Sequence, residues 1–166
     1  MPWILQSDVK AIRRISDTFN ADRFNSFAQA AQDENLRVWL GDALYLDMDT
    51  NLTDAKYQTL LNGESYLKDG KTIKFFGLKH YLCYSWLFIN TVEGDDFQAN
   101  VGTVNFGQTA SMQFPKSKSA TMAKYSDSMS IYKNNAIDYL NEKSSIYPLW
   151  ESTEKSKGSS FRFIRI

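Results

Sequence analysis

Three short stretches of this chain hold residue types at spacings that could do chemistry, and each is incomplete. "GTVNFGQT", residues 102–109, stands one residue from the phosphate-loop pattern G-x-x-x-x-G-K-[ST], with Gln108 in the lysine's place. Phosphate binding needs glycines that free backbone amides, a lysine to offset the anion, and a following helix whose N-terminus faces it. Gln108 is uncharged, and the next residues, "ASMQFP", read as extended and meet a proline. "DMDTNLTDAKYQ" begins like a calcium loop, with Asp47, Asp49 and Asn51 at positions one, three and five. Its sixth position is Leu52 where a calcium loop turns on glycine, and its twelfth is Gln58 where a bidentate glutamate closes the shell. A capped helix start accounts for the same residues. His80 and Cys83 lie one helical turn apart, but two ligands cannot build a structural zinc site, and a Cys-His pair needs a polar cleft where this segment is apolar. A hydrogen-bonded core histidine is expected. With one histidine in the chain and no close carboxylate pair on a cleft element, no enzyme, metal or cofactor is expected.

The scaffold for these residues is bounded by composition. A chain of 166 residues, 43% hydrophobic, can bury one core. Its 19 basic and 19 acidic residues cancel, so there is no electrostatic footprint for nucleic acid or a membrane surface. The single cysteine excludes an internal disulfide and suits a reducing compartment. "MPWILQS" does not read as a secretion signal, and the most apolar segment, residues 78–92, is too short to span a bilayer.

Periodicity predicts a mainly α protein. Ser7 is expected to cap a two-turn helix in "SDVKAIRRI", and Asn20 to cap the next, whose Phe24, Phe27, Ala28 and Ala31 share a stripe. Leu36, Trp39, Leu40, Ala43 and Leu44 repeat that spacing, with a bend or helix end at Gly41; Thr53 is expected to cap "DAKYQTLLNG", stopped by Gly63. Asp69-Gly70 between two short extended runs predicts a β-hairpin, because that turn needs positive φ. "GLKHYLCYSWLFINTV" is apolar nearly all round, as a central helix should be. Residues 93–116 form a long β-prone excursion punctuated by Gly94, Gly102 and Gly107. Helix resumes near Ser117 or Ser119, where Met122, Tyr125, Met129, Tyr132, Ala136 and Tyr139 draw one stripe for core or helix contact, and has finished by Tyr147, before Pro148. The fold class is thus a helical bundle with a small β-hairpin, a long β-prone excursion and an extended C-terminal tail. Residues 1–150 make a single domain and 151–166 an extension: a polar linker, then "SSFRFIRI", in which apolar residues alternate with Arg162 and Arg165.

The pieces "DVKAIRRIS", "LRVWLGDALYLDM", "LTDAKYQTLLNG", "YLKDGKTIKFFGLKHYL", "NFG" and "AIDYLNEKSSIYPLWES", taken in order over nearly the whole chain, resemble the head-tail connector (adaptor or ring) proteins of tailed bacteriophages of Bacteroidetes, the crAss-like phages included. The resemblance rests on the order of pieces, none of which is a catalytic signature. It implies a structural virion protein at the neck, assembled in the host cytoplasm. Twelve copies would form a ring below the portal, joining capsid to tail and continuing the DNA channel. Its partners would be itself, the portal protein and the next neck or tail ring, with DNA passing without sequence-specific binding and no membrane contact. The alternative is a small helical protein-binding module or assembly chaperone that stays out of virions.

A ring of identical subunits needs two different lateral faces. The residues offered for them are the hairpin turn Asp69 and Gly70; Val101, Val104, Asn105, Phe106, Gln108 and Phe114 in the excursion; and Phe161, Arg162, Phe163, Ile164, Arg165 and Ile166 in the tail. On this reading "GTVNFGQT" contacts another subunit and not a phosphate. The tail can add as a strand to the portal or to a neighbouring subunit, or pair with this protein's own hairpin.

Overall fold

A computed structural model describes residues 2–13, 15, 19–93, 96–99, 102–105 and 115–151. The architecture is mainly α-helical and is organised around one helix, α6 (Leu78–Glu93). Its sequence leaves almost no polar stripe, so it must be covered on several sides. Four helices do this: α1 (Gln6–Ile12), α2 (Ala21–Ala30), α5 (Ala55–Asn62) and α7 (Pro115–Glu142). Trp86, fully buried, lies among Phe19, Phe24 and Phe27, and its indole N–H donates to the Phe24 carbonyl at 3.1 Å. A buried aromatic of this kind contributes about 1.5–3 kcal/mol, provided its N–H is paired, as here.

The caps differ in part from expectation. Asn20 accepts from the Arg23 N–H at 2.9 Å, as its residue type predicts. The first helix instead begins after Leu5, with Ser7 inside its first turn; the Asp8 carboxylate reaches back to accept from the Leu5 N–H at 2.8 Å, which a serine at that place could not do. Thr53 is likewise not the cap of α5: the chain enters at Asp54, whose carbonyl accepts from Tyr57 and Gln58.

Between α2 and α3 (Arg37–Leu40) the helix widens into a π turn, Ala31–Leu36. The apolar stripe explains it. Ala31 to Leu36 is a step of five residues in a pattern of threes and fours, and the wider turn absorbs the extra residue, keeping both in the core. Inside that turn Gln32 is fully buried and accepts the Trp3 N–H, while Asn35 donates to the buried Ser85 hydroxyl at 2.8 Å. Gly41, at φ +85°, then ends α3 and opens α4 (Asp42–Thr50). Asp47 and Asp49 therefore occupy the end of a helix and not a capped start. Asp47 accepts from the Tyr57 hydroxyl and pairs with Lys56 at 3.7 Å, and Asp49 accepts from the Trp3 indole at 3.1 Å.

The hairpin pairs β1 (Glu64–Lys68) with β2 (Lys71–Phe75), Lys68 opposite Lys71, and both turn residues, Asp69 and Gly70, have positive φ as expected. Its base is closed by two glycines back to back. A Cβ on Gly63 would lie 2.4 Å from the Phe75 carbonyl oxygen, and one on Gly77 would lie 2.5 Å from the Leu61 carbonyl oxygen. Both sit at positive φ, so no other residue fits either place.

α7 runs antiparallel to α6, with Lys118 near Val92 and Tyr132 beside His80. It starts at Pro115, ahead of the expected serines, because proline is at home in the first helical position, where its missing N–H costs nothing. The excursion is correspondingly shorter. Within it, β3 (Asp96–Ala99) pairs antiparallel with β4 (Gly102–Asn105).

Candidate functional site

The two hairpins attach to opposite ends of α6, a helix of 16 residues and so about 24 Å long. The end nearer β1–β2 is closed. Asn135 on α7 behaves as an extra strand residue, accepting the Phe76 N–H at 3.0 Å and donating to the Lys74 carbonyl at 3.1 Å. Tyr139 stacks on Phe75 at 4.1 Å, meets Tyr66 edge-on and donates to Glu64 at 2.7 Å. Tyr147 donates to the Lys56 carbonyl at 2.8 Å.

Among the described residues the other end is open. A cleft of about 430 Å³ lies between Arg13, Ile15 and Phe19 on one side and α6 and α7 on the other, lined by Trp86, Leu87 and Tyr125. Arg13 stands over the Tyr125 ring at 5.9 Å, and Asn90 and Thr91 give the rim polar groups. Met122, Tyr125 and Met129 remain half-buried here, whereas Ala136, Tyr139 and Leu140 further along the same helix are fully buried. The lining suits one apolar or aromatic side chain with a hydrogen-bonding backbone. Among the described residues that line it there is no cysteine, serine, histidine or carboxylate.

A second, smaller cavity of about 180 Å³ is lined by Asp8, Lys79, His80 and Cys83. Asp8 and Lys79 pair at 3.6 Å. Burial pushes the Cys83 thiol up to about 12, with Asp8 adding to it, so the thiol stays protonated and is no nucleophile. His80 is not the hydrogen-bonded core histidine that was expected. It is half-buried, packed on the Phe76 and Tyr132 rings, and its Nδ1, buried beside the Phe76 backbone, makes no hydrogen bond of ordinary geometry. Burial, with the Lys74 charge added, holds its pKa below 6.5. Among the described residues no cluster of three or more His, Cys, Asp or Glu side chains could hold a metal, and no helix is long and apolar enough to cross a membrane.

The residues singled out from sequence do not converge. Asp69 and Gly70 form the exposed tip of one hairpin, beside Leu67, which is 70% exposed. Val104 and Asn105 lie in the other hairpin, opposite Phe97 and Asp96. Val101, Phe106, Gln108, Phe114 and the tail residues Phe161–Ile166 lie outside the described residues. The cleft residues Arg13, Phe19 and Asn90 were missed. One signal for Phe19 was present: it precedes the Asn20 cap, and Phe24 stands four residues after that cap, the spacing of a hydrophobic staple.

By fold this is a mainly α-helical protein with a hairpin at either end of its central helix. The chain belongs to the family of unknown function DUF6712, whose profile matches residues 36–160, from the last residue of the π turn through both hairpins and α7 into the polar linker. No curated protein and no solved structure matches it.

Proposed function

We propose that this protein is a structural virion subunit whose copies form a ring below the portal, joining capsid to tail and continuing the DNA channel. The observation that carries the proposal is the attachment of two unlike hairpins to opposite ends of α6, the first of them fastened to α7 through Asn135. Heterologous contacts that close a ring require two different faces on one molecule, and this arrangement supplies them about 24 Å apart. The ordered resemblance of the sequence to connector proteins directs that general capacity toward the neck. The portal and the next neck or tail ring are the partners above and below, and a net charge of zero suits a channel that passes DNA without gripping it.

The test is the composition of purified source particles by quantitative mass spectrometry. The chain is expected at the same copy number as the portal. Its absence from particles, with abundance in infected cells, would overturn the proposal and leave the assembly chaperone.

A further inference from the structure

The ridge formed by α3 and α4 carries charge and apolar surface together. From residue 33 to 54 there are six acidic side chains and one basic, a net of −5. Val38 is 77% exposed and Leu46 is 53% exposed, with Glu34, Asp42 and Asp49 also at the surface. Arg37, the one basic residue of this stretch, is held by Asp42 at 2.7 Å; from outside it Lys56 pairs with Asp47 at 3.7 Å and Lys133 stands over the Trp39 ring at 5.8 Å, which leaves Glu34 and Asp49 as the carboxylates for an incoming cation. Exposed valine and leucine set among carboxylates describe a receptor for a peptide in which apolar and basic residues alternate.

This chain contains such a peptide. Residues 152–166 carry four basic residues against one acidic, and the last six are Phe161, Arg162, Phe163, Ile164, Arg165 and Ile166. The described chain ends at Glu151, directly after Trp150, which packs edge-on against Trp39 at 6.4 Å. The tail therefore departs beside the residue that follows Val38. The cleft at the far end of α6 is a poorer receptor, because Arg13 stands at its edge and would repel the two arginines.

The linker is long enough to reach a neighbouring copy. Seven residues, 152–158, all polar or glycine, separate Glu151 from Ser159 and span at most about 24 Å. That reach allows return to the ridge beside the tail's own root and equally allows crossing to a neighbouring copy; the ring reading selects the neighbour. We propose that residues 159–166 of one copy dock on the α3–α4 ridge of a neighbouring copy. The neighbour in question rests on the ring reading. Ridge and tail then add a second heterologous contact to the one proposed between the two ends of α6, with apolar side chains set against Val38 and Leu46 and arginines set against Glu34 and Asp49.

The experiment uses the full chain carrying Val38→Cys and Phe163→Cys, made in isotopically heavy and light forms, mixed in equal amounts and oxidised. The native Cys83 is buried and stays silent. Docking between copies predicts that about half of the 38–163 disulfides join a heavy to a light chain, as random pairing of equal pools requires. It also predicts at least about a tenfold lower yield when Val92→Cys, at the far end of α6, replaces Val38→Cys, and a similar fall when Glu34→Lys and Asp49→Lys are added. Disulfides confined to chains of one isotope would overturn the proposal in favour of a tail folded on its own ridge. No 38–163 disulfide, or equal yield from position 92, would overturn it outright. Heavy-light disulfides with the chain missing from particles would keep this contact and remove the virion role. Particle rings that lack the disulfide would do the reverse.

Discussion

The two ends of the α6–α7 pair share the same helices and are finished in opposite ways. At the β1–β2 end the α7 side chains that face inward meet partners: Asn135 takes two backbone groups, Tyr139 takes a ring and a carboxylate, and Gly63 and Gly77 let the backbones touch. At the other end the same stripe of α7 stays half-covered and borders a cleft. One end uses its side chains to hold the fold, and on the ring reading proposed above the other keeps them for a neighbouring copy.

The sharpest break to that contrast is at the glycines. Gly77→Ala combines a positive φ with backbone 2.5 Å from the new Cβ, and is expected to cost about 3 kcal/mol or more, read as a fall in the denaturation midpoint. A loss under about 1 kcal/mol would mean that the closed end is looser than its geometry. Next comes Asn135→Leu, which removes two hydrogen bonds and leaves the Phe76 N–H without its acceptor; about 1–3 kcal/mol is expected from the same measurement.

The His80 ring, at the β1–β2 end, responds to pH. Its folded pKa is depressed below 6.5, so the imidazole is neutral in both states above that value and its contribution is fully present there. As pH falls below 6.5 the unfolded chain takes up the proton first, and stability declines until the folded pKa is passed. His80→Phe, measured by melting temperature from pH 7.5 to 4.5, is expected to flatten that part of the profile. The smallest effect belongs to the open end. Arg13→Ala removes an aromatic contact at 5.9 Å and is expected to cost about 0.5–1 kcal/mol, read as a small fall in the denaturation midpoint.

Local chemistry made much of the fold readable before any coordinates. Gly41, Gly63 and the Asp69-Gly70 turn each announce a backbone conformation that few residues tolerate, Asn20 announces a cap by its side chain, and each stands where its type requires. The apolar run of α6 required burial and received it. What escaped were choices between near-equal neighbours: Leu5 over Ser7 and Asp54 over Thr53 as helix entrances, settled by a side chain reaching back or a carbonyl already in place. The π turn was present in the sequence as a five-residue step and went unread. The cleft could not be read at all, since Arg13, Phe19, Asn90 and Tyr125 come from segments brought together only by tertiary packing.

Amide hydrogen exchange on the full chain, free and in its assembled form, bears most directly on the contrast between the two ends. The account predicts that residues 57–75 and 132–140 are protected in both forms. Residues 87–93 and 118–129 should exchange at least about tenfold faster in the free chain and become protected on assembly. Equal protection of the two ends in the free chain, unchanged by assembly, would contradict it.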